Sequence, residues 1–229
     1  MAGINDGGKM KYSEERLKHI HRSDCLNFEQ FDKDYNVITA SPVIPAQDNE
    51  LELRPWWEDN SNIVPESEGY RPIALYWLDM INDYFKKESD TERTFVDVGV
   101  GKGKPILYNL LVNAPYKEYI GIEMDPNYVE IFQNNLINTS ININKPVKVE
   151  HINAIDFDFS IDDAIYFFFQ PFSPMFFDKL IRKNMENFIK HNNYIVLIKG
   201  YEYTHESFIG LKSVFSEGLV HIYRFGNKE

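Results

Sequence analysis

The chain has 229 residues, 43% of them hydrophobic and 26% charged, with 35 acids against 24 bases and a formal charge of -11. That balance excludes disorder of the whole chain and allows one large domain, or a domain with an extension. The single cysteine, Cys25, excludes an intramolecular disulfide and a cysteine-based zinc site. No apolar run reaches the roughly 18 residues of a membrane helix, and MAGINDGGKMKYSEERLK lacks a signal-peptide core, so the predicted location is cytoplasmic, with no membrane partner. The acidity is concentrated early: residues 1–93 hold 19 acids and 11 bases, residues 94–229 hold 16 and 13. A phosphate backbone is attracted by Lys and Arg, so a nucleic-acid partner is not expected.

Residues 1–12, rich in Gly, Asn and Lys, are expected to form a flexible N-terminus. Residues 13–69 show no clear helical or strand period. Their aromatics, including Phe28, Phe31, Tyr35, Trp56 and Trp57, are scattered among acids, so the region is expected to dock on a larger body and cover its substrate side. Ile73, Trp77, Met80, Ile81 and Tyr84 then recur at helical spacing, and Pro72 suits a first turn, which predicts a helix from about 72 to 87. From Thr94 short apolar runs alternate with amphipathic segments. TFVDV, YIGIE, VKVEHI, AIYFFF and YIVLIK read as strands, the last two buried on both faces. Asp125-Pro126 and Ser173-Pro174 each offer a capping side chain followed by proline at the first helical position. The tail FIGLKSVFSEGLVHIYRF reads as two strands joined through Glu217-Gly218. Such alternation implies a parallel sheet with helices on both faces, closed by an antiparallel edge.

The most informative stretch is VDVGVGKGKP, residues 96–105, which follows a strand and opens a helix. There glycines let a ligand approach the backbone and meet helix-terminal N–H groups. Neither Gly-Lys pair is followed by Ser or Thr, which disfavours a nucleotide-triphosphate loop. Lys104 occupies the place of the third glycine of a dinucleotide fingerprint. What remains is an acid, Asp97, two residues ahead of glycines at 99, 101 and 103.

This arrangement resembles motif I of the class I S-adenosylmethionine-dependent methyltransferases, and the likeness extends over about residues 70–225. It implies S-adenosyl-L-methionine as cofactor and methyl transfer as the activity. The domain is expected at residues 70–229, as a Rossmann-like seven-stranded sheet of order 3-2-1-4-5-7-6 with only strand 7 antiparallel. Glu123 ends the next strand, where the family places the carboxylate that grips the ribose hydroxyls; a carboxylate accepts from both. Met124 is then expected against the adenine, and Asn153 with Ala154 beside the adenine amino group, where the family has Asp more often than Asn. Asp97 is expected nearby as acceptor for the methionyl ammonium or for a water, with Gly99, Gly101 and Gly103 cradling that end. Tyr70 stands where relatives fold a segment over the cofactor. Gln170, Pro171 and Phe172 follow the fourth strand at the family's catalytic position. Gln170 departs from the family's Asn or Asp there, which weakens any transfer of amine chemistry.

The acceptor expected from the sequence is a protein or a small molecule, with nucleic acid unlikely from the charge. Two other readings stay open: a nicotinamide-dependent oxidoreductase on a similar fold, and a methyltransferase-like binding module without turnover. No metal site is expected, because His19 and His21 have no matching ligands near them and the other histidines are dispersed.

Overall fold

The computed structural model describes residues 28–40, 73–88, 93–169, 171–198 and 213–226. Tyr70, Pro72, Gln170, Trp56 and Trp57 lie outside the described residues, as does the 1–12 terminus. In chain order the elements are α1 (Phe28–Tyr35), α2 (Leu75–Glu88), β1 (Arg93–Val98), α3 (Lys104–Leu111), β2 (Tyr116–Glu123) and α4 (Pro126–Asn138). They continue with β3 (Val147–His151), a 3-10 turn (Ala154–Asp156), β4 (Ala164–Phe169), α5 (Pro174–Lys190), β5 (Tyr194–Ile198), β6 (Ser213–Glu217) and β7 (Val220–Arg224).

The seven strands form one sheet in the order β3-β2-β1-β4-β5-β7-β6. All pairings are parallel except those of β7, which runs antiparallel to β5 and to β6. This is the topology expected from the alternation of apolar runs and the closing hairpin. Strand β5 is buried along its whole length and β4 at all but its last residue, which is why they read as continuous apolar runs rather than alternating ones. Strand β2 starts three residues earlier than its apolar run, and a register irregularity opposite Arg93 and Thr94 accompanies the burial of both Tyr116 and Tyr119 in the same core.

Side chains leaving the sheet on opposite faces build two cores. One packs Phe95, Phe167 and Val196 under Ile81 and Phe85 of α2, Ile106 and Leu107 of α3, and Phe132 of α4. The other packs Val96, Val98, Tyr166 and Phe168 under Phe177, Leu180, Ile181 and Phe188 of α5. A polar ladder runs through the first core: Asn82 donates to Asn109 at 2.9 Å, and the Tyr116 hydroxyl donates to Asn82 at 2.7 Å, tying α2 to α3 and β2. The predicted caps form. Asp125 accepts from the Asn127 N–H and Ser173 from the Phe176 N–H, each cap worth about 1 kcal/mol.

Two boundaries differ from the sequence reading. Helix α2 begins at Leu75, three residues after Pro72. Helix α1 was not legible at all: it spans eight residues of FEQFDKDY, too short and too polar for its period to stand out. Its Phe31 and Tyr35, with Val37 just beyond, are nevertheless buried in the first core.

Candidate functional site around the glycine loop

The carboxyl ends of β1, β2 and β4 lie side by side, since β1 pairs with both neighbours and places Asp97 between Gly121 and Phe167. Beyond β1 the chain turns sharply. Gly99, Gly101 and Gly103 adopt φ of +81°, +53° and +84°, the left-handed region where a side chain is strained. Gly99 and Val100 both donate to the Ile122 carbonyl at 2.9 Å, which seats the turn on β2. Gly103 donates to Val100 at 3.0 Å and caps α3, whose first turn holds Pro105. Close approach also demands glycine at the two ends of the loop. A Cβ on Gly99 would lie 2.4 Å from the Cβ of Pro171, and one on Gly103 would lie 1.9 Å from the Phe132 ring.

Glu123, at the end of β2, faces the same loop. Its Oε2 accepts from the Gly101 N–H at 2.9 Å, and its Oε1 accepts from Met124 N–H at 2.8 Å and Asp125 N–H at 2.9 Å. Those bonds fill both lone pairs of Oε1 and one of Oε2. A diol would therefore meet one open acceptor position and displace a backbone donor for its second bond. Burial raises the pKa of Glu123; the N–H donors of Asp125, Gly101 and Met124 oppose that, and the Asp125 charge adds to it.

Asp97 is buried, and its Oδ2 has no hydrogen-bond donor among the described residues. Burial lifts its pKa well above the ordinary carboxylate value, with the Glu123 charge adding to the rise. A buried acceptor without a donor, beside a loop that exposes backbone, suits a cationic or N–H-bearing ligand group. The set of acceptors and open backbone thus fits an amino acid joined to a ribose: Asp97 for an ammonium, the glycine turn for close approach, Glu123 for hydroxyls.

The remaining expected residues fall around this centre in different ways. Met124 is 48% exposed, so its side chain is available to lie against a planar group. Asn153 uses its Oδ1 to accept from the Ile155 N–H at 3.1 Å as the cap of the 3-10 turn, and Ala154 behind it is buried. Pro171 reaches the first glycine, joining the segment after β4 to the loop after β1. Phe172 is buried against Phe176 at 4.8 Å between ring centroids, within the second core. Gln170 and Tyr70 lie outside the described residues. No group of three His, Cys, Asp or Glu that could hold a metal occurs among the described residues, and no helix there is long and apolar enough to cross a membrane.

Four participants went unnoticed in the sequence. Asn135 of α4 is buried and donates to the Lys102 carbonyl at 3.0 Å; its spacing of three from Phe132 and six from Val129 put it on the apolar stripe, where a polar residue is a signal. Lys102 and Lys104 are themselves buried, against the expectation for loop lysines. Burial lowers the pKa of Lys102, with the Asp32 charge opposing that shift. Tyr128 stands near enough to Asp125 and Glu123 for their charges to add to the upward push that burial exerts on its hydroxyl.

No family model matches the sequence, and no curated protein matches it either. Solved structures do. The yhhF protein of Escherichia coli, provisionally assigned as a methyltransferase, is 16% identical with a TM-score of 0.51, over 72% of this chain and 92% of its own. The rRNA methyltransferase aviRa of Streptomyces viridochromogenes is 11% identical with a TM-score of 0.50, over 68% and 86%. An RNA methyltransferase of Salinibacter ruber, solved with S-adenosyl-L-homocysteine, is 17% identical with a TM-score of 0.41, over 64% and 89%. The likeness to the rRNA enzyme corrects one expectation. The charge argument made nucleic acid an unlikely partner and favoured a protein or small molecule, yet the fold is shared with an enzyme acting on rRNA. Net charge fixes solubility and long-range attraction and leaves the field at one cleft free, so the inference from -11 was too broad. The chain has the class I methyltransferase fold, with its glycine turn and β2 carboxylate at the carboxyl edge of the sheet.

Proposed function

We propose that this protein transfers a methyl group from S-adenosyl-L-methionine to a nucleic acid. The observation that carries the first half is the joined pair of Gly101 and Glu123: a left-handed glycine turn whose N–H is held by the carboxylate at the end of β2. Beside it stands the donorless oxygen of Asp97. When bound, the cofactor would supply a methyl group already activated on a sulfonium. The chain's own residues then hold, orient and exclude water. Glu123 would fix the ribose by exchanging a backbone donor for a hydroxyl. Asp97 would accept from the ammonium and serve as its counter-charge. Met124 would cover one face of the adenine, and Asn153 and Ala154 would border its edge. Pro171 locks the β4 end onto the loop, so the acceptor would enter where Gln170 and Phe172 follow β4. The acceptor class rests on the likeness to the rRNA enzyme, which names the substrate kind to try first.

Calorimetry with S-adenosyl-L-methionine, its demethylated product and NAD tests the donor. Binding of the two sulfur compounds and not NAD is expected, and binding of NAD alone would overturn the reading in favour of an oxidoreductase. Label transfer from a methyl-tritiated donor to total RNA, total DNA and total protein tests the acceptor. Label confined to protein would overturn the second half and leave the first standing.

A further inference from the structure

We infer that residues 28–40 form a strap that supports the glycine loop from behind, and that Asn135 is the positioning residue joining the two. The strap is α1 and the turn after it. It lies along the last turns of α4: the Ser140 N–H and the Thr139 hydroxyl both donate to the Tyr35 carbonyl at 3.0 Å, and Asn36 Nδ2 donates to the Asn138 carbonyl at 2.8 Å. The Asp32 carboxylate closes the strap on itself, accepting from the Thr39 N–H at 2.6 Å and the Ala40 N–H at 2.8 Å.

The side chain of Asn135 acts as a surrogate peptide between strap and loop. Its Oδ1 accepts from the Ile38 N–H at 2.8 Å, and its Nδ2 donates to the Ile38 carbonyl at 3.1 Å and to the Lys102 carbonyl at 3.0 Å. Both amide protons are thus committed, one to the strap and one to the loop. Lys102 sits between Gly101, which meets Glu123, and Gly103, which caps α3. Fixing its carbonyl fixes the two glycines that turn the backbone toward the ligand. The lysine side chains reinforce the same contact. Lys104 Nζ lies 5.4 Å from the centre of the Phe31 ring, and Phe31 is buried in the core that contains Phe132. An early acidic segment with no apparent period therefore belongs in part to the donor side of the site, rather than wholly to the substrate side.

The support of the loop does not depend on what the loop binds; its effect on donor affinity rests on the methyltransferase reading. Hydrogen exchange of the full-length, ligand-free protein tests the support directly. Asn135→Asp keeps the shape and turns the donating amide into an acceptor facing two carbonyls. It should speed exchange of the Gly101 and Gly103 amides by about tenfold or more. Asp32→Ala, which opens the strap without touching Asn135, should do the same to a smaller degree, and it decides the matter alone if Asn135→Asp does not fold. Phe188→Leu, in the other core, should lower the thermal midpoint and leave loop exchange unchanged. Wild-type loop exchange in both strap variants would overturn the inference, as would equal acceleration in Phe188→Leu. Calorimetry on the same proteins should show S-adenosyl-L-methionine binding weakened by about tenfold in Asn135→Asp. If the wild-type protein takes up no donor, the functional reading fails, and the exchange rates still decide the strap.

Discussion

Replacing Gly103 by alanine is the sharpest test of why the loop has its sequence. The residue sits at φ +84°, and a methyl there would lie 1.9 Å from Phe132 Cδ2 and 2.1 Å from Cε2. Two costs combine. A left-handed conformation strains a side-chain-bearing residue by about 1–2 kcal/mol. Forcing a methyl into a packed core costs roughly 1–3 kcal/mol more. The expected loss is about 2–5 kcal/mol, a large part of the stability of an ordinary domain. The two terms separate in a double-mutant cycle read by urea unfolding. Phe132→Ala alone should cost roughly 3–5 kcal/mol, because the ring is fully buried. The double variant should be more stable than additivity predicts by about 1–3 kcal/mol, since the space left by the ring accepts the methyl while the backbone strain persists. Gly103→Ala within about 0.5 kcal/mol of wild type, or a strictly additive double variant, would refute the packing argument.

Other expectations follow the same geometry. Gly99→Ala should destabilise by roughly 2 kcal/mol or more and recover in part when Pro171 is also replaced by glycine, as a thermal melt will read, because the clash is with the proline Cβ. Gly101→Val and Glu123→Ala should each weaken S-adenosyl-L-methionine binding by about tenfold or more, measured by calorimetry with the fold checked by circular dichroism. Wild-type affinity in both would place the donor elsewhere. Asp97 has a folded pKa raised by burial, so its contribution to stability is fully present below the unfolded value and is lost as pH rises through the folded one. The midpoint advantage of Asp97→Asn over wild type should therefore grow from acid toward neutral pH; a constant offset would sink that sign. If an ammonium binds at Asp97, its charge should oppose the upward shift, so donor affinity should rise with pH wherever the ligand-free carboxyl still holds its proton, as calorimetry across pH will read.

The sheet was legible because its signal is redundant. Apolar runs such as AIYFFF and YIVLIK admit few structures between capped helices, and Asp125-Pro126 and Ser173-Pro174 mark their own helix starts. Asp97, Glu123 and the three glycines were legible for a related reason, since the spacing of a tight turn leaves little choice of residue. Helix α1 was not, because nothing local stabilises FEQFDKDY. Its order comes from burying Phe31 and Tyr35 on a core that the chain builds some 65 residues later, and tertiary packing of that kind leaves no period to read. Phe172 shows the converse limit. Its position after β4 is the family's catalytic place, but nothing in the sequence shows that its ring packs on Phe176.

The buried lysines connect these two limits. A sequence containing GKGK at a helix start invites an anion-binding interpretation, since helix N-termini and ammonium groups both attract negative charge. The structure turns that charge inward instead: Lys104 lies by the Phe31 ring, and Asp32 is near enough to Lys102 to oppose the fall in its pKa. The acidic partner comes from the segment whose surplus of acids first argued against nucleic acid. One acid of residues 1–93, Asp32, thus acts on a buried lysine of the loop. What an acceptor meets is the charge left at the carboxyl edge of the sheet, and a test there should vary ionic strength. Methyl transfer to RNA that falls steeply as salt rises would reveal a basic acceptor surface despite the net charge of -11. Transfer indifferent to salt would mean that the acceptor is gripped by stacking and shape, with phosphate contacts contributing little.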